Sequence, residues 1–266
     1  MNDAAQPILE LRGITKKFGG FTALSDVHVA VRKNHIHAVI GPNGAGKTTL
    51  FNVVSGMFGA EAGSLFYKSQ SIDRAKPHQR ANMGIARTFQ NIRLFEDLSV
   101  LENVQVSQHG RHFNTIWSAV RHAIFHAPFT RGRQETEMED YAMELLGFLD
   151  IAHARDVKAA DLAFGERRLV EIARALAANP SIMLLDEPAA GMNPAETENL
   201  DVILTRLRDE KDITILLVEH DMNLVMGVSD YVTVLNFGQK IAEGLPEEVQ
   251  NDPDVIAAYL GTDEEL

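Results

Sequence analysis

Gly41, Pro42, Asn43, Gly44, Ala45, Gly46, Lys47 and Thr48 follow one another in the pattern GxxxxGK[ST], with Thr49 next. Residues of these types at this spacing can hold a chain of phosphates. Glycines at 41, 44 and 46 let the backbone curl around an anion without Cβ clashes. The Lys47 ammonium can bridge the outer phosphates and the Thr48 hydroxyl can ligate Mg2+. Each charge-assisted hydrogen bond contributes roughly 1.5–3 kcal/mol, so several together hold a nucleoside triphosphate. A second group lies far downstream, where the apolar run Ile182 to Leu185 ends in Asp186 and Glu187. An apolar strand ending in two acids is commonplace by itself. Downstream of a phosphate loop, Asp186 gains the role of helping to hold Mg2+, and Glu187 that of orienting and deprotonating a water.

Such a loop works only between a strand and a helix, because unpaired N–H groups and the positive dipole end of a helix must meet the phosphates. Ile36 to Ile40 reads as a buried strand before it, and Thr49 to Ser55 as a helix that Gly56 closes. Upstream, Ile8 to Ile14 alternates as a strand, Lys16 to Gly20 reads as a turn, and Phe21 to Val31 as further strands. Asn34 stands where the chain must turn, a position Asn tolerates at positive φ. His35 and His37 fall on one strand face and read as strand-edge packing rather than a metal pair. Gly59 to Tyr67 suggests a turn and a strand, Pro77 to Arg80 a short helix, and Ile85 to Gln90 a strand. Residues 91 to about 160 read as helical, with breakers expected at Gly110, Pro128, Gly132 and Gly147. Beyond Leu162 an α/β rhythm returns: helix 166–178, strand 181–185, helix 194–210, strand 213–218, helix 222–228 and strands near 231–237.

The chain has 266 residues, 45% hydrophobic and 23% charged, enough for one sizeable core. Its 25 basic and 37 acidic side chains leave a formal charge of −12, which gives no field drawing it to nucleic acid. The absence of cysteine excludes disulfides, Cys-ligated zinc and a thiol nucleophile, and fits a reducing compartment. Met1 to Glu10 lacks the features of a signal peptide, and no apolar run approaches a membrane span. A membrane role is therefore expected to run through a partner or surface contact.

Leu162-Ala163-Phe164-Gly165-Glu166 precedes the Asp186 strand and resembles the LSGGQ signature of ABC ATPases. It departs from that signature at Ala163 for Ser and at Glu166 for Gln, which leaves the Gly165 N–H and the helix N-terminus as phosphate donors. The resemblance assigns further roles by position. Gln90 matches the glutamine that links Mg2+ and the γ-phosphate to a helical lobe. Ala190-Gly191-Met192-Asn193 matches the D-loop, with Asn193 in place of the usual Asp. His220 matches the switch histidine on the γ-phosphate, and Phe18 the aromatic that stacks on adenine, with core packing as the rival reading for Phe18. The implied fold class is α/β: a P-loop ABC ATPase with a RecA-like core, an antiparallel β subdomain and an inserted helical subdomain. The core lobe is expected over about 1–89 and 163–250, the helical subdomain over about 90–162, and a C-terminal helix and tail over 251–266.

Residues 86–95, 162–165, 186–194, 219–222 and 251–261 resemble the ATPase subunits of branched-chain amino acid importers, and the long helical insert resembles the larger of their two ATPases. That likeness implies ATP and Mg2+ as cofactors and a second ABC ATPase subunit as dimer partner. It also implies two transmembrane permease subunits, a periplasmic solute-binding protein acting through them, and a peripheral place on the cytoplasmic face of the inner membrane. Urea or amide import and lipopolysaccharide export are the alternative systems within the fold. A P-loop kinase or GTPase would share Gly41 to Thr48 without needing Gln90, Gly165 and His220 in this order. Between Glu102 and Glu135 no acid occurs, while Arg111, Arg121, Arg131, Arg133 and His109, His112, His122, His126 do. This insert either faces an anionic membrane or permease, or packs on its own lobe with a solvated basic face.

Overall fold

The computed structural model describes residues 6–88, 92–112 and 128–260. Two compact units divide the chain, one formed by the residues up to Arg87 together with those from Ser181 onward, the other by Thr88–Pro180.

The first unit contains two sheets. Strands β1 (Pro7–Phe18), β2 (Phe21–Arg32), β4 (Ala62–Tyr67) and β5 (Gln70–Ser71) form an antiparallel sheet in the order β2-β1-β4-β5. The other sheet runs β10-β9-β3-β8-β7-β6 and is built from β3 (Ile36–Ile40), β6 (Ile85–Arg87), β7 (Ile182–Asp186), β8 (Thr214–Val218), β9 (Tyr231–Asn236) and β10 (Gln239–Gly244). Its pairs are parallel except β9 with β10. Every residue of β3, β7 and β8 is buried, which is why these strands are largely apolar rather than alternating. Both sheets share one core, in which Leu9, Leu11 and Leu65 meet Leu50, Phe51, Leu184 and Leu216.

Helices follow the strands. In the first unit these are α1 (Lys47–Ser55) and α2 (Pro77–Asn82), then α6 (Pro194–Lys211), α7 (Met222–Val228), α8 (Pro246–Gln250) and α9 (Pro253–Leu260). The second unit packs α3 (Val100–His112), α4 (Pro128–Phe148) and α5 (Phe164–Ala177) on one another. Among the described residues no helix is long and apolar enough to cross a membrane.

Arg80 ties α1 to the smaller sheet. Its buried guanidinium donates to the Val53 and Val54 carbonyls at 2.6 and 2.7 Å, and to Ile72 and Ala75 at 2.9 Å each. Carbonyls in the last turn of α1 are thereby tied to the chain leaving β5. Gly56 adds the left-handed turn that ends the helix, at φ 81.

Several expectations need correction. β1 continues through Lys16 to Phe18, so the turn is only Gly19-Gly20. Gly110 and Gly132 lie inside α3 and α4 and break neither, while Pro128 is the first residue of α4. α5 starts two residues earlier than expected and β7 one residue later. His35 precedes β3, and His37 sits in a central strand, not at an edge. It is bonded to Thr233 Oγ1 at 2.8 Å, and burial pushes its pKa down to about 3. Asn34 has the positive φ its type allows, 55°.

Candidate functional site

The phosphate loop sits at the carboxyl end of β3, where β8 and β9 flank it on either side and a parallel sheet opens a crevice. Its glycines are fixed by geometry. Gly41 has φ 147, and a Cβ there would lie 2.0 Å from the Leu235 carbonyl oxygen. Gly46 has φ 104, with its Cβ position 2.7 Å from the Ala23 oxygen. Gly46 is also the N-cap of α1, and no side chain caps that end. The first N–H groups of α1 are thus left for an anion. Pro42 and Ala45 are buried, Asn43, Gly44 and Thr48 are exposed, and Thr49 is half-buried in the first turn.

Lys47 is only 8% exposed. Its ammonium donates to the Gly41 and Pro42 carbonyls at 2.5 and 3.1 Å. Burial lowers its pKa, against the opposing pull of Glu187 and Asp186. The two acids expected to serve the loop thus act electrostatically on its lysine. Asp186 ends β7, is 2% exposed and accepts from Arg87 Nη2 at 2.9 Å. Glu187 follows at φ 48, a left-handed conformation that costs a non-glycine residue about 1–3 kcal/mol and clusters at functional sites. Its N–H bonds the Val218 carbonyl at 2.8 Å, which pins the turn to the end of β8. His220 Nδ1 lies 4.0 Å from Glu187 Oε2, with its ring largely exposed. Phe18 ends β1, 44% exposed, edge-on to Phe58 at 5.3 Å and beneath the Lys16 ammonium.

Lys47, Asp186, Glu187 and His220 thus gather around the loop within one unit. Gly165 is buried in the first turn of α5, in the other unit. Glu166 there accepts from the Ala163 N–H at 3.2 Å and meets His153 Nε2 at 3.1 Å. Asn193 caps α6, accepting from the Glu196 N–H at 3.0 Å while Glu196 accepts from its own N–H at 2.9 Å. Gln90 lies outside the described residues, as do residues 113–127 of the basic insert and the tail after Leu260.

Two positioning residues escaped the sequence. Arg87 joins Asp186 to α1 by donating to Asn52 Oδ1 at 2.7 Å and Ser55 Oγ at 2.9 Å. Glu219, almost fully buried, accepts from the Ala189 N–H at 2.8 Å and the His220 N–H at 3.1 Å. It clamps the chain after Glu187 to the chain carrying His220. Burial raises its pKa, and those N–H groups oppose the shift. The available signals were an arginine ending one apolar strand and an acid following another.

Asp201 on α6 bears a cost nearby. Burial, then Asp221, Glu198 and Glu219, raise its pKa to about 6, and one of its oxygens is enclosed without a hydrogen bond. With the unfolded value near 3.9, the folded state binds the proton more tightly between about pH 4 and 6. The ionised group therefore destabilises fully above pH 6 and not at all below 4. Asp201→Asn is expected to raise Tm by about 2–4 °C at pH 7.5 and by nothing near pH 4. Equal gains at both pH values in a thermal melt would show that charge is not the cause.

Residues 24–190 match the family described as ABC transporter, and residues 239–265 that described as branched-chain amino acid ATP-binding cassette transporter. Over 97% of its length the chain is 43% identical to the high-affinity branched-chain amino acid transport ATP-binding protein BraF of Pseudomonas aeruginosa, and it covers 99% of that protein. It is 41% identical to LivG, the protein of the same description in Escherichia coli, over 97% of this chain and 99% of that one. Its backbone is similar to the crystal structure of MJ1267, an ATP-binding cassette of an ABC transporter in its ADP conformation. There the TM-score is 0.83 at 34% identity, covering 97% of this chain and all of that one.

Proposed function

Because the chain belongs to the ABC transporter family, we propose that it is the ATP-hydrolysing subunit of an importer of branched-chain amino acids. The observation that carries the hydrolytic reading is the convergence of Lys47, Asp186, Glu187 and His220 on an uncapped helix end. The cargo comes from the names of relatives similar over nearly their whole length, and from the match of residues 239–265.

In this reading the N–H groups of Gly41 to Thr49 and the Lys47 ammonium bind the β- and γ-phosphates, and Phe18 stacks on the adenine. Thr48 and Asp186 offer two hard oxygen donors, the kind Mg2+ accepts when phosphates and water complete its shell. When bound, that ion neutralises charge on the transferred phosphoryl group. Glu187 accepts the proton of the attacking water, and His220 and Gln90 contact the γ-phosphate. A second ATPase subunit contributes the counterpart of Gly165, so that two helix N-termini face one triphosphate. Hydrolysis removes the phosphate that bridges the pair, and the resulting opening drives two permease subunits fed by a periplasmic binding protein. The motor then works at the cytoplasmic face of the inner membrane.

Proteoliposomes holding the permeases, both ATPases and enclosed ATP are expected to accumulate labelled leucine when the binding protein is added outside. Hydrolysis stimulated by urea or an amide, but not by leucine, isoleucine or valine, would assign a different cargo.

A further inference from the structure

A ring that stacks on a base must be held at a fixed height and tilt. Phe18 ends its strand with 44% of its surface open, so strand packing alone does not hold it. Its supports stand beside it. Phe58 meets it edge-on, with ring centroids 5.3 Å apart and planes at 77°. The Lys16 ammonium lies 5.1 Å from the Phe18 centroid and 5.8 Å from that of Phe58, so one cation serves both rings. A lysine commonly carries its charge out to water. This side chain is only 12% exposed, and its ammonium donates to Glu61 Oε1 at 2.7 Å. Glu61 is fixed in turn. Its other carboxylate oxygen accepts from the Lys17 N–H at 2.8 Å, and its own N–H donates to the Thr15 carbonyl at 2.9 Å. Phe58 hangs just past the end of α1, where its N–H donates to the Asn52 carbonyl at 3.1 Å. The helix that presents Lys47 at its start thus carries, beyond its end, the ring that braces Phe18. Core packing does not account for the group, because Phe18 and Phe58 are both exposed. Nor does it give a reason to draw a charge out of water beneath two surface rings.

We infer that Lys16 and Phe58 are positioning residues for the base. They clamp the Phe18 ring from the protein side, so that the part they leave open is a rigid stacking surface at a set distance from the phosphate loop. The inference rests on the nucleotide reading of the site.

The test compares ATP with inorganic tripolyphosphate by calorimetry, because tripolyphosphate reports on the phosphate loop without a base. Phe18→Leu removes the stacking ring and is expected to weaken ATP binding by about 2–12-fold. Lys16→Met and Phe58→Leu should weaken it by a comparable factor, and by no more than Phe18→Leu does, since they act through that ring. All three variants should bind tripolyphosphate within about twofold of the unaltered protein. Added to Phe18→Leu, neither substitution should weaken ATP binding further, because the ring they hold is gone. The inference is overturned if either Lys16→Met or Phe58→Leu binds ATP as the unaltered protein does while Phe18→Leu does not. It is equally overturned if their losses extend to tripolyphosphate or add in full to that of Phe18→Leu, because the damage would then be general. ATP affinity unchanged in Phe18→Leu would strike the stacking reading and the inference with it. Failure of the unaltered protein to bind either ligand would strike the nucleotide reading itself.

Discussion

Glu187→Gln is expected to lower steady-state ATP hydrolysis by about 10²–10⁴-fold while leaving ATP affinity within about threefold of the unaltered protein. That loss is the ordinary contribution of a general base. The amide keeps the size and hydrogen-bonding reach of the acid but cannot take a proton from water. Affinity should survive because the groups proposed to grip phosphate are the backbone of residues 41–49 and the Lys47 ammonium, none of which the substitution alters. Lys47 loses one of its two attracting acids, and Asp186 remains beside it. The backbone should tolerate the exchange, since Gln at φ 48 is no more strained than Glu. If the γ-phosphate bridges two subunits as proposed, the variant should also remain paired with a second subunit in saturating ATP. Steady-state phosphate release, calorimetry and size-exclusion chromatography measure the three effects. Turnover close to that of the unaltered protein would remove Glu187 from the chemistry.

Lys47→Ala acts on the other half of the site. ATP affinity should fall by roughly 10²–10⁴-fold, the loss of about two charge-assisted hydrogen bonds at ~1.5–3 kcal/mol each. The ammonium has already left water in the folded protein and is held by two carbonyls. Binding therefore exchanges carbonyl acceptors for phosphate oxygens, with little new desolvation of the lysine. Its removal takes away attraction without relieving a comparable cost. Calorimetric titration with ATP measures the change, and an affinity within threefold of the parent would refute the phosphate-loop assignment.

The parts of this architecture that the sequence displays are local ones. β3 and α7 match their expected limits residue for residue, because a short run that is apolar but for His37 and a short segment opened by Asp221 carry their own boundaries. Asp221 accepts from the Asn223 and Leu224 N–H groups, as an N-cap should. Gly110 and Gly132 misled because a glycine costs a helix only about 1 kcal/mol relative to alanine, which is not enough to break one. β10 lies beyond the strands expected near 231–237, because Gln239 to Gly244 lacks clean alternation. The turn between β9 and β10, Phe237-Gly238, has φ of 45° and 76° without the Asn-Gly signal expected of such a hairpin. It forms because Gly238 is hydrogen-bonded on both sides, to the Ala45 carbonyl and from the Ser25 N–H. Arg87 and Glu219 were missed for a related reason. Their partners lie 99 and 30 residues away in the chain, and no spacing rule reaches that far.

The four bonds of Arg80 have a mechanical consequence. The end of the helix that presents Lys47 and the segment leaving the small antiparallel sheet share one guanidinium, so neither can loosen by itself. Heat or denaturant must release both together, and the hinge of any working stroke has to lie elsewhere. Motion passes through this corner as through a weld.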